Sequence, residues 1–156
     1  MNPPVIGCWN VRGFNSPKKI TACKKLISSH RLDLLCLLEV KINHQQSLDN
    51  WFCNAHRLFP HEASCNNFDD STPGRIWLKW NPATVHFQKT KSSKQFIHGF
   101  VSSPSIAPIA LTAVYAANSV TDRFPLWKDL ASIAEGINGP WIIMGDFNCF
   151  KDSKDK

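Results

Sequence analysis

The sequence predicts a single domain of the α/β class. Its 156 residues are 43% hydrophobic and 11% aromatic, which is enough for one sizeable core and excludes a disordered chain. Short apolar runs typical of strands are interrupted by two longer segments whose apolar residues recur at helical spacing. The run LDLLCLLEV, residues 32–40, is almost continuously apolar and predicts a strand covered on both faces. Such a strand belongs at the centre of a sheet, which the helices are expected to cover.

The first third of the chain predicts a strand followed by a helix. VIGCWNV is a strand candidate that ends near Asn10. Ser16 is a suitable N-cap, and Pro17 is a suitable first helical residue. The apolar face of this helix holds Ile20, Cys23 and Ile27. The lysines on its other face form a solvated surface or contact phosphate, and the sequence leaves both interpretations open.

The middle of the chain is less regular. Residues 42–52 predict a short helix, and residues 64–74 predict a polar loop. GRIWLKW, residues 74–80, predicts a strand, and TVHFQ, residues 84–88, predicts its hairpin partner. The segment KTKSSK, residues 89–94, is predicted to be a basic turn that favours solubility or contacts a phosphate backbone.

The last third contains two strands, a helix and a final strand. The two strands are predicted at residues 95–103 and 109–118, and the helix at residues 119–137. One face of this helix holds Leu126, Leu130, Ile133 and Ile137. WIIMGDFN, residues 141–148, then combines a buried strand with an abrupt turn at Gly-Asp-Phe-Asn. The polar tail that follows carries no structural signal.

Charge and hydropathy restrict the partners and the compartment. The net charge of +6 and the sequence pI near 9.1 favour a polyanionic partner such as nucleic acid. No apolar run approaches the roughly 18 residues of a membrane-spanning helix, and the N-terminus MNPPVIGCWN lacks the basic and apolar regions of a signal peptide. We therefore expect an intracellular protein without a membrane partner, in the nucleus or the cytoplasm.

Polar side chains stand where four of the predicted strands end. These residues are Asn10, Glu39, Tyr115 with Asn118, and Asp146 with Asn148. Each has a simpler interpretation by itself, since Asp and Asn form turns and a carboxylate emerges into water at a strand end. Together, carboxylates and amides from separate strand ends make an oxygen-rich site without thiolate or imidazole. Such a site suits Mg²⁺ or Mn²⁺, which would polarise a phosphoryl oxygen.

Five motifs in order carry a resemblance to a known family. They are WNVRGF, LLEVKI, GRIWLKW, YAAN followed by Arg123 and LW, and GDFN, and they extend from about residue 5 to residue 150. The chain resembles the endonuclease/exonuclease/phosphatase (DNase I-like) family, and it is most similar to the endonuclease of plant non-LTR (LINE-type) retrotransposons. The resemblance implies a four-layer α/β sandwich of two packed mixed sheets flanked by helices. The activity it implies is divalent-metal-dependent cleavage of a DNA phosphodiester.

The resemblance assigns the metal to the first two strand ends. It implies that Glu39 ligates Mg²⁺ or Mn²⁺ and that Asn10 helps to position the ion. The family more often has Glu-Thr at this point, whereas Val40 follows Glu39 in this sequence. This departure removes a hydroxyl group but keeps the carboxylate ligand.

The other roles implied by the resemblance concern the phosphate and the attacking water. Tyr115 and Asn118 would contact the scissile phosphate. Asp146 would orient or deprotonate the water, and Asn148 would donate hydrogen bonds to the phosphoryl oxygens as charge develops. Arg123 would contact phosphate or a groove of the DNA.

The family pattern continues beyond these motifs. It places a downstream Asp and then a Ser-Asp-His segment on later strands, whereas this chain runs to Lys156 and its last histidine is His98. We therefore expect residues 1–156 to be an incomplete, C-terminally truncated domain with little or no nuclease activity. Two alternatives stay open: a non-catalytic nucleic-acid-binding remnant, and a phosphatase of the same superfamily.

Overall fold

The computed structural model describes residues 2–149, which form eight strands and four helices. The strands are β1 (Ile6–Asn10), β2 (Leu34–Ile42), β3 (Ala63–Asn66), β4 (Gly74–Trp80), β5 (His86–Ser93), β6 (Phe96–Ser103), β7 (Ile106–Tyr115) and β8 (Trp141–Asp146). The helices are α1 (Pro17–His30), α2 (His44–Leu48), α3 (Asn50–Ala55) and α4 (Val120–Glu135). The end of the predicted domain, residues 150–156, lies outside the described residues.

β2 is an inner strand of the first sheet, as its apolar sequence predicts. The sheet has the order β1-β2-β4-β3, in which β1 is parallel to β2 and the other neighbours are antiparallel. Alternate side chains of β2 face opposite layers. Cys36 enters the core between the two sheets, whereas Leu35 and Leu37 pack on the helix side. The strand is therefore covered on both faces.

The second sheet has the order β5-β6-β7-β8. Its first three strands are antiparallel, and β7 pairs in parallel with β8. Tyr115 therefore stands directly beside Asp146 in the register. The buried face of α4 consists of Leu126, Leu130 and Ile133, which pack on this sheet as predicted.

The two sheets pack face to face, and helices cover the outer face of each. The core between the sheets includes Leu38, Ile76, Leu78, Phe87, Ile97 and Leu111. Cys23 of α1 and Phe52 of α3 pack on the first sheet, and α4 packs on the second. The chain thus forms the predicted four-layer α/β sandwich, with a mixed sheet in each inner layer.

Both long helices begin where the sequence predicts. Ser16 Oγ accepts a hydrogen bond from the Lys19 N–H at 3.3 Å, and Pro17 takes the first helical position of α1. Ser119 caps α4 in the same way through the Asp122 N–H at 3.1 Å. A cap of this kind stabilises a helix by about 1 kcal/mol. Within residues 2–149, no helix has the length and apolarity that a membrane crossing requires.

The hairpin predicted between residues 74–80 and 84–88 is wrong. β5 pairs with β6 in the second sheet, because β2 and β3 already occupy both sides of β4. The chain crosses between the sheets in the turn after β4. There the Val85 N–H donates to the Asn81 carbonyl oxygen at 3.1 Å, and the Asn81 N–H donates to the Asp33 carbonyl oxygen at 2.9 Å.

Two predicted loops are partly strand. The basic turn predicted at residues 89–94 lies mostly in β5, which pairs with β6 as far as Ser93. The polar loop predicted at residues 64–74 begins within β3, which pairs with β4. The short helix predicted at residues 42–52 is divided into α2 and α3 at Asp49. Pairing with a neighbouring strand overrides local turn preference in the first two cases.

β1 and β8 bring the two ends of the chain together. Each is an edge strand of its sheet within the part of the chain that the structure describes, and the two strands contact each other. β1 ends at Asn10 and β8 ends at Asp146. The packing of the two sheets therefore places two of the predicted polar strand ends side by side.

Candidate active site

Asn10 and Asp146 are joined by a hydrogen bond at the ends of the two edge strands. Asn10 Nδ2 donates to Asp146 Oδ2 at 2.9 Å, and Asn10 Oδ1 accepts a hydrogen bond from the Arg12 N–H at 3.2 Å. The side-chain amide of Asn10 is therefore fixed by both its nitrogen and its oxygen. Its nitrogen faces the carboxylate, and its oxygen faces the turn that follows β1.

Asp146 is also held by the turn that follows it. The Asn148 N–H donates to Asp146 Oδ1 at 2.9 Å. Asn148 has a φ of 46°, a left-handed conformation that Asn adopts more readily than most residues. Its side-chain nitrogen donates to the Ala116 carbonyl oxygen, just beyond β7. The Asp-Phe-Asn turn thus fixes the carboxylate in one orientation and ties β8 to the end of β7.

Gly145 is required for the close approach of β7 and β8. Its φ is 145°, and a Cβ atom at this position would lie 1.9 Å from the carbonyl oxygen of Val114. No residue with a side chain fits there without moving the neighbouring strand. The glycine of the Gly-Asp-Phe-Asn turn therefore serves the strand packing that carries Asp146.

Four of the predicted residues line one open cleft with a volume of about 710 Å³. They are Asn10, Asn118, Asp146 and Asn148, and the Cys8 side chain lies among them. Burial, with a smaller contribution from Asp146, raises the pKa of the Cys8 thiol to about 12. The thiol is therefore protonated near neutral pH and is not a nucleophile. The chemistry of this cleft belongs to its oxygen and amide groups.

Arg123 lies behind the cleft. The residue is 7% exposed, and its Nη1 donates to the carbonyl oxygens of Ala117, Asn118 and Asn148 at 3.1, 2.7 and 2.9 Å. One buried cation thus joins the segments that follow β7 and β8. This placement does not support the predicted contact with phosphate or DNA, because the guanidinium group is directed to the backbone.

Glu39 and Tyr115 are not among the residues that line the cleft; Glu39 follows Leu38, which does line it, on a distorted part of β2. The pairing of β2 with β4 shifts between Leu38 and Ile42, and both Glu39 and Lys41 have positive φ values, of 57° and 55°. Such conformations cost non-glycine residues about 1–3 kcal/mol and concentrate at functional sites. Lys41 Nζ lies 3.1 Å from Glu39 Oε1, and the Glu39 side chain is 20% exposed. The distortion presents a carboxylate and a cation together at the end of β2.

Tyr115 lies close enough to Glu39 and Asp146 for both carboxylates to raise the pKa of its phenol. Burial raises the pKa of the Tyr115 phenol, the Glu39 and Asp146 carboxylates raise it further, and the Arg75 guanidinium lowers it. The guanidinium carbon of Arg75 lies 5.7 Å from the centre of the Tyr115 ring. Since the phenol pKa is raised, Tyr115 is protonated near neutral pH and can donate a hydrogen bond.

The oxygen donors around the cleft suit Mg²⁺ or Mn²⁺ better than a metal whose ligands must all be protein side chains. Within residues 2–149, there is no cluster of three or more His, Cys, Asp or Glu side chains that could hold a metal. Mg²⁺ usually binds one or two carboxylates and keeps several waters. Glu39 offers such a carboxylate, whereas both oxygens of Asp146 already accept hydrogen bonds.

Two mixed sheets between helices, with amides and carboxylates at their common end, define a DNase I-like α/β sandwich. The chain belongs to the endonuclease/exonuclease/phosphatase family, whose sequence profile matches residues 7–156. Among curated proteins, no sequence matches this chain significantly. The family and fold predicted from the motifs are confirmed, and the plant origin stays a prediction.

Three solved structures share the fold. The endonuclease domain of TRAS1, a telomere-specific non-LTR retrotransposon, aligns with 96% of this chain at a TM-score of 0.68 and 8% identity. The AP endonuclease LMAP from Leishmania major aligns with 89% at 0.62 and 19% identity, and ANGEL2, a 2′,3′-cyclic phosphatase, aligns with 90% at 0.58 and 12% identity. This chain spans 61%, 53% and 45% of those three chains, respectively. Identities this low establish a common fold alone.

Two residues at the site have only a weak signal in the sequence. Lys41 follows Glu39 at a spacing of two, which places both side chains on one face of a regular strand. Arg75 is part of a Gly-Arg pair at the head of β4, which by itself indicates nothing about a site. Its contact with Tyr115 joins the two sheets, so it depends on packing that the local sequence does not encode.

Proposed function

We propose that this chain carries the hydrolytic site of a divalent-metal-dependent nuclease that cleaves phosphodiester bonds of DNA. One observation supports the proposal above all: the Asp146 carboxylate is fixed between the Asn10 amide and the Asn148 N–H in an open cleft. A carboxylate held at both oxygens is suited to bind and orient a single water molecule. Membership of the endonuclease/exonuclease/phosphatase family favours this chemistry.

Asp146 orients the attacking water and accepts its proton in this proposal. Each carboxylate oxygen has two acceptor positions, and one hydrogen bond to each leaves a second position for water. The bonds from Asn10 and Asn148 prevent the carboxylate from rotating, so the water is aligned before reaction. Asn10 acts through Asp146, because its amide nitrogen faces that carboxylate.

Glu39 is the proposed ligand of Mg²⁺ or Mn²⁺. When bound, the ion would polarise a phosphoryl oxygen and stabilise the negative charge on the leaving oxygen. Lys41 Nζ lies 3.1 Å from Glu39 Oε1 and balances the charge of the carboxylate before the metal binds. The positive φ of Glu39 supports this role, since strained residues are retained where the surrounding structure has a use for them.

Tyr115, Asn118 and Asn148 are the proposed contacts to the scissile phosphate. The protonated phenol of Tyr115 would donate one hydrogen bond to the phosphate in place of its bond to Glu39. Asn118 is exposed and lines the cleft, so its amide is accessible to a ligand. Asn148 uses one amide hydrogen on the Ala116 carbonyl and keeps a second for a phosphoryl oxygen. Donors fixed before reaction stabilise the charge that develops there.

DNA is the proposed substrate, inside the cell. The net charge of +6 favours a polyanion. The likeness in fold to the TRAS1 endonuclease domain and to the AP endonuclease LMAP supports a nuclease over other members of the family. A phosphatase stays an alternative, since ANGEL2, a 2′,3′-cyclic phosphatase, shares the fold.

A non-catalytic nucleic-acid-binding protein is the second candidate. The family pattern completes its site with a histidine, and among residues 2–149 no histidine lines the cleft. His98 is buried in the second sheet, where its Nδ1 lies 2.8 Å from Thr112 Oγ1. Loss of one general acid or base commonly lowers a rate by about 10² to 10⁴. Residues 1–156 would therefore cleave DNA slowly under the nuclease proposal and bind it without cleavage under this second one.

A plasmid-nicking assay separates these functions. We expect slow nicking of supercoiled DNA that requires Mg²⁺ and falls at least about tenfold in Asp146→Asn. Asp69→Asn is the matched control, because Asp69 is exposed and lies outside the cleft. DNA binding without nicking would favour the second candidate, and phosphate release from a phosphomonoester without nicking would favour the phosphatase. Equal nicking by the unmodified chain and Asp146→Asn would contradict the nuclease proposal.

A further inference from the structure

Arg75 brings a positive charge to Tyr115 from a strand that the proposed mechanism does not use. It follows Gly74 at the start of β4, and its guanidinium carbon lies 5.7 Å from the centre of the Tyr115 ring, across the interface between the sheets. At this distance the guanidinium group is in cation–π contact with the ring. Arg75 is therefore next to a residue proposed to bind phosphate.

The Arg75 side chain is held by the loop between β3 and β4. Its Nε donates to Ser71 Oγ at 3.0 Å, and Ser71 Oγ donates its own hydrogen to the Pro73 carbonyl oxygen at 2.9 Å. A guanidinium group is planar, so a bond at Nε also restricts the two outer nitrogens. The loop therefore orients the end of the side chain that carries the free donors.

The loop itself is built on a buried asparagine. Asn67 has no exposed surface, and its Oδ1 accepts the N–H groups of Arg75 and Ile76 at 3.2 and 2.8 Å. Its Nδ2 donates to the carbonyl oxygen of Ser93, at the end of β5 in the second sheet, at 3.0 Å. One side chain thus ties the start of β4 to the opposite sheet. The position of Arg75 is consequently fixed by the core of the protein.

The outer nitrogens of Arg75 are available to a ligand. Among the described residues, Nη1 and Nη2 of Arg75 make no hydrogen bond or ion pair, and only Nε is engaged. Lys41 is paired with Glu39, and Arg123 directs Nη1 to backbone carbonyls. A site with two carboxylates repels a polyanion unless a cation compensates, and the arginine fork matches phosphate oxygens in geometry.

We propose that Arg75 binds a non-bridging oxygen of the substrate phosphodiester, with the Tyr115 ring as its platform. The inference rests on the proposed function, because it takes the cleft as the place where a phosphodiester binds. It adds to the site a residue from β4, whereas the residues proposed above come from β1, β2, β7, β8 and the turns after β7 and β8. Arg75 and Tyr115 would then hold the same phosphate from one side.

Binding of a short fluorescent DNA duplex, in EDTA to prevent cleavage, tests this role. Arg75→Ala should weaken binding about tenfold and lower the slope of log affinity against log salt by about 0.9, the value for one phosphate contact. Arg75→Lys keeps the charge and loses the fork, so its slope should stay unchanged while affinity falls. Arg57→Ala is the matched control, because Arg57 is exposed just beyond α3, and both quantities should stay unchanged.

A second measurement tests whether the charge of Arg75 lies beside Tyr115 in solution. Tyr115 is the only tyrosine in the sequence, so a spectrophotometric titration of tyrosinate reports this residue alone. Arg75→Ala should raise the Tyr115 pKa above that of the unmodified chain, since it removes the charge that lowers it. Arg75→Lys should raise it less, and Arg57→Ala should leave it unchanged. A cooperative thermal transition in each variant establishes that it is folded.

The outcomes distinguish this inference from the proposed function. If Arg75→Ala and Arg57→Ala bind DNA with equal affinity and equal salt slope, Arg75 is not a phosphate ligand, and the nuclease proposal is unaffected. If the unmodified chain does not bind DNA, both proposals are overturned. If Arg75→Ala lowers the slope while nicking is independent of Asp146, Arg75 stands as a phosphate ligand and the nuclease proposal fails.

Discussion

The amide nitrogen of Asn10 lies 2.9 Å from Oδ2 of Asp146, although the two residues are 136 positions apart in sequence. The bond joins the last residue of β1 in the first sheet to the last residue of β8 in the second. The orientation of the carboxylate therefore depends on how the two sheets pack. Any change that shifts one sheet against the other should disturb the site before it unfolds the protein.

Replacement of Asn10 should affect the site more than the fold. Asn10→Ala removes the bond to Asp146 Oδ2, so we expect a loss of about 1 kcal/mol in the free energy of unfolding. Nicking should fall at least about tenfold, because the carboxylate is free to rotate. Urea unfolding and the plasmid assay measure the two effects. Asn15→Ala, at an exposed position, is the control, and equal nicking by the two variants would show that Asn10 does not orient Asp146.

Replacement of Gly145 should separate β7 from β8. Gly145→Ala places a Cβ atom 1.9 Å from the Val114 carbonyl oxygen at a φ of 145°, so we expect a loss of at least about 2 kcal/mol in stability. Gly139→Ala is the matched control, since a Cβ atom there meets nothing within 4 Å. Its stability should stay within about 0.5 kcal/mol of the unmodified chain. Similar unfolding free energies for both variants would contradict the packing described for these strands.

The stability of the protein should fall in mild acid. Burial, with a smaller effect from Lys91, holds the pKa of His98 below its ordinary 6.5, and burial also lowers the pKa of His56. As the pH falls below 6.5, the unfolded chain takes up protons that the folded protein does not, so stability declines until the lowered folded-state pKa values are reached. The slope should reach up to about 1.4 kcal/mol per pH unit for each proton.

Urea unfolding across this pH range measures that slope. His98→Gln should be less stable at neutral pH, because the contact with Thr112 changes, and its pH dependence should be flatter. Asn15→Ala, at an exposed position without a titratable side chain, should keep the slope of the unmodified chain. An unmodified chain whose stability does not change between neutral pH and the folded-state pKa values would show that neither histidine is buried in its neutral form.

Local patterns account for most of the strands and for both long helices. β2 is recognisable because its side chains are apolar on both faces, and α1 because Ser16 and Pro17 mark its start. The partner of β5 is not predictable in this way, because it depends on which strands already flank β4. Lys79 is a similar case: its alternation with Leu78 suggests exposure, yet it is fully buried with Nζ 2.7 Å from Glu62 Oε2.

The sequence predicts which residues line the cleft better than it predicts how their side chains are oriented. Asn10, Asn118, Asp146 and Asn148 gather there because β1, β7 and β8 end at the same side of the sandwich. The direction of the Asn10 amide and the burial of Arg123 depend on side-chain contacts made after the sheets pack. The catalytic roles of the residues that line the cleft stay predictions.

Paramagnetic Mn²⁺ tests most directly whether Glu39 and the Asn10–Asp146 pair share one metal site. In ¹H–¹⁵N spectra, the side-chain amide signals of Asn10 and Asn148 should broaden as Mn²⁺ is added, and the signal of Asn54 on α3 should stay sharp. Glu39→Gln should abolish the broadening, since it removes the proposed carboxylate ligand. Sharp Asn10 and Asn148 signals at saturating Mn²⁺, or unchanged broadening in Glu39→Gln, would contradict a metal held by Glu39 in this cleft.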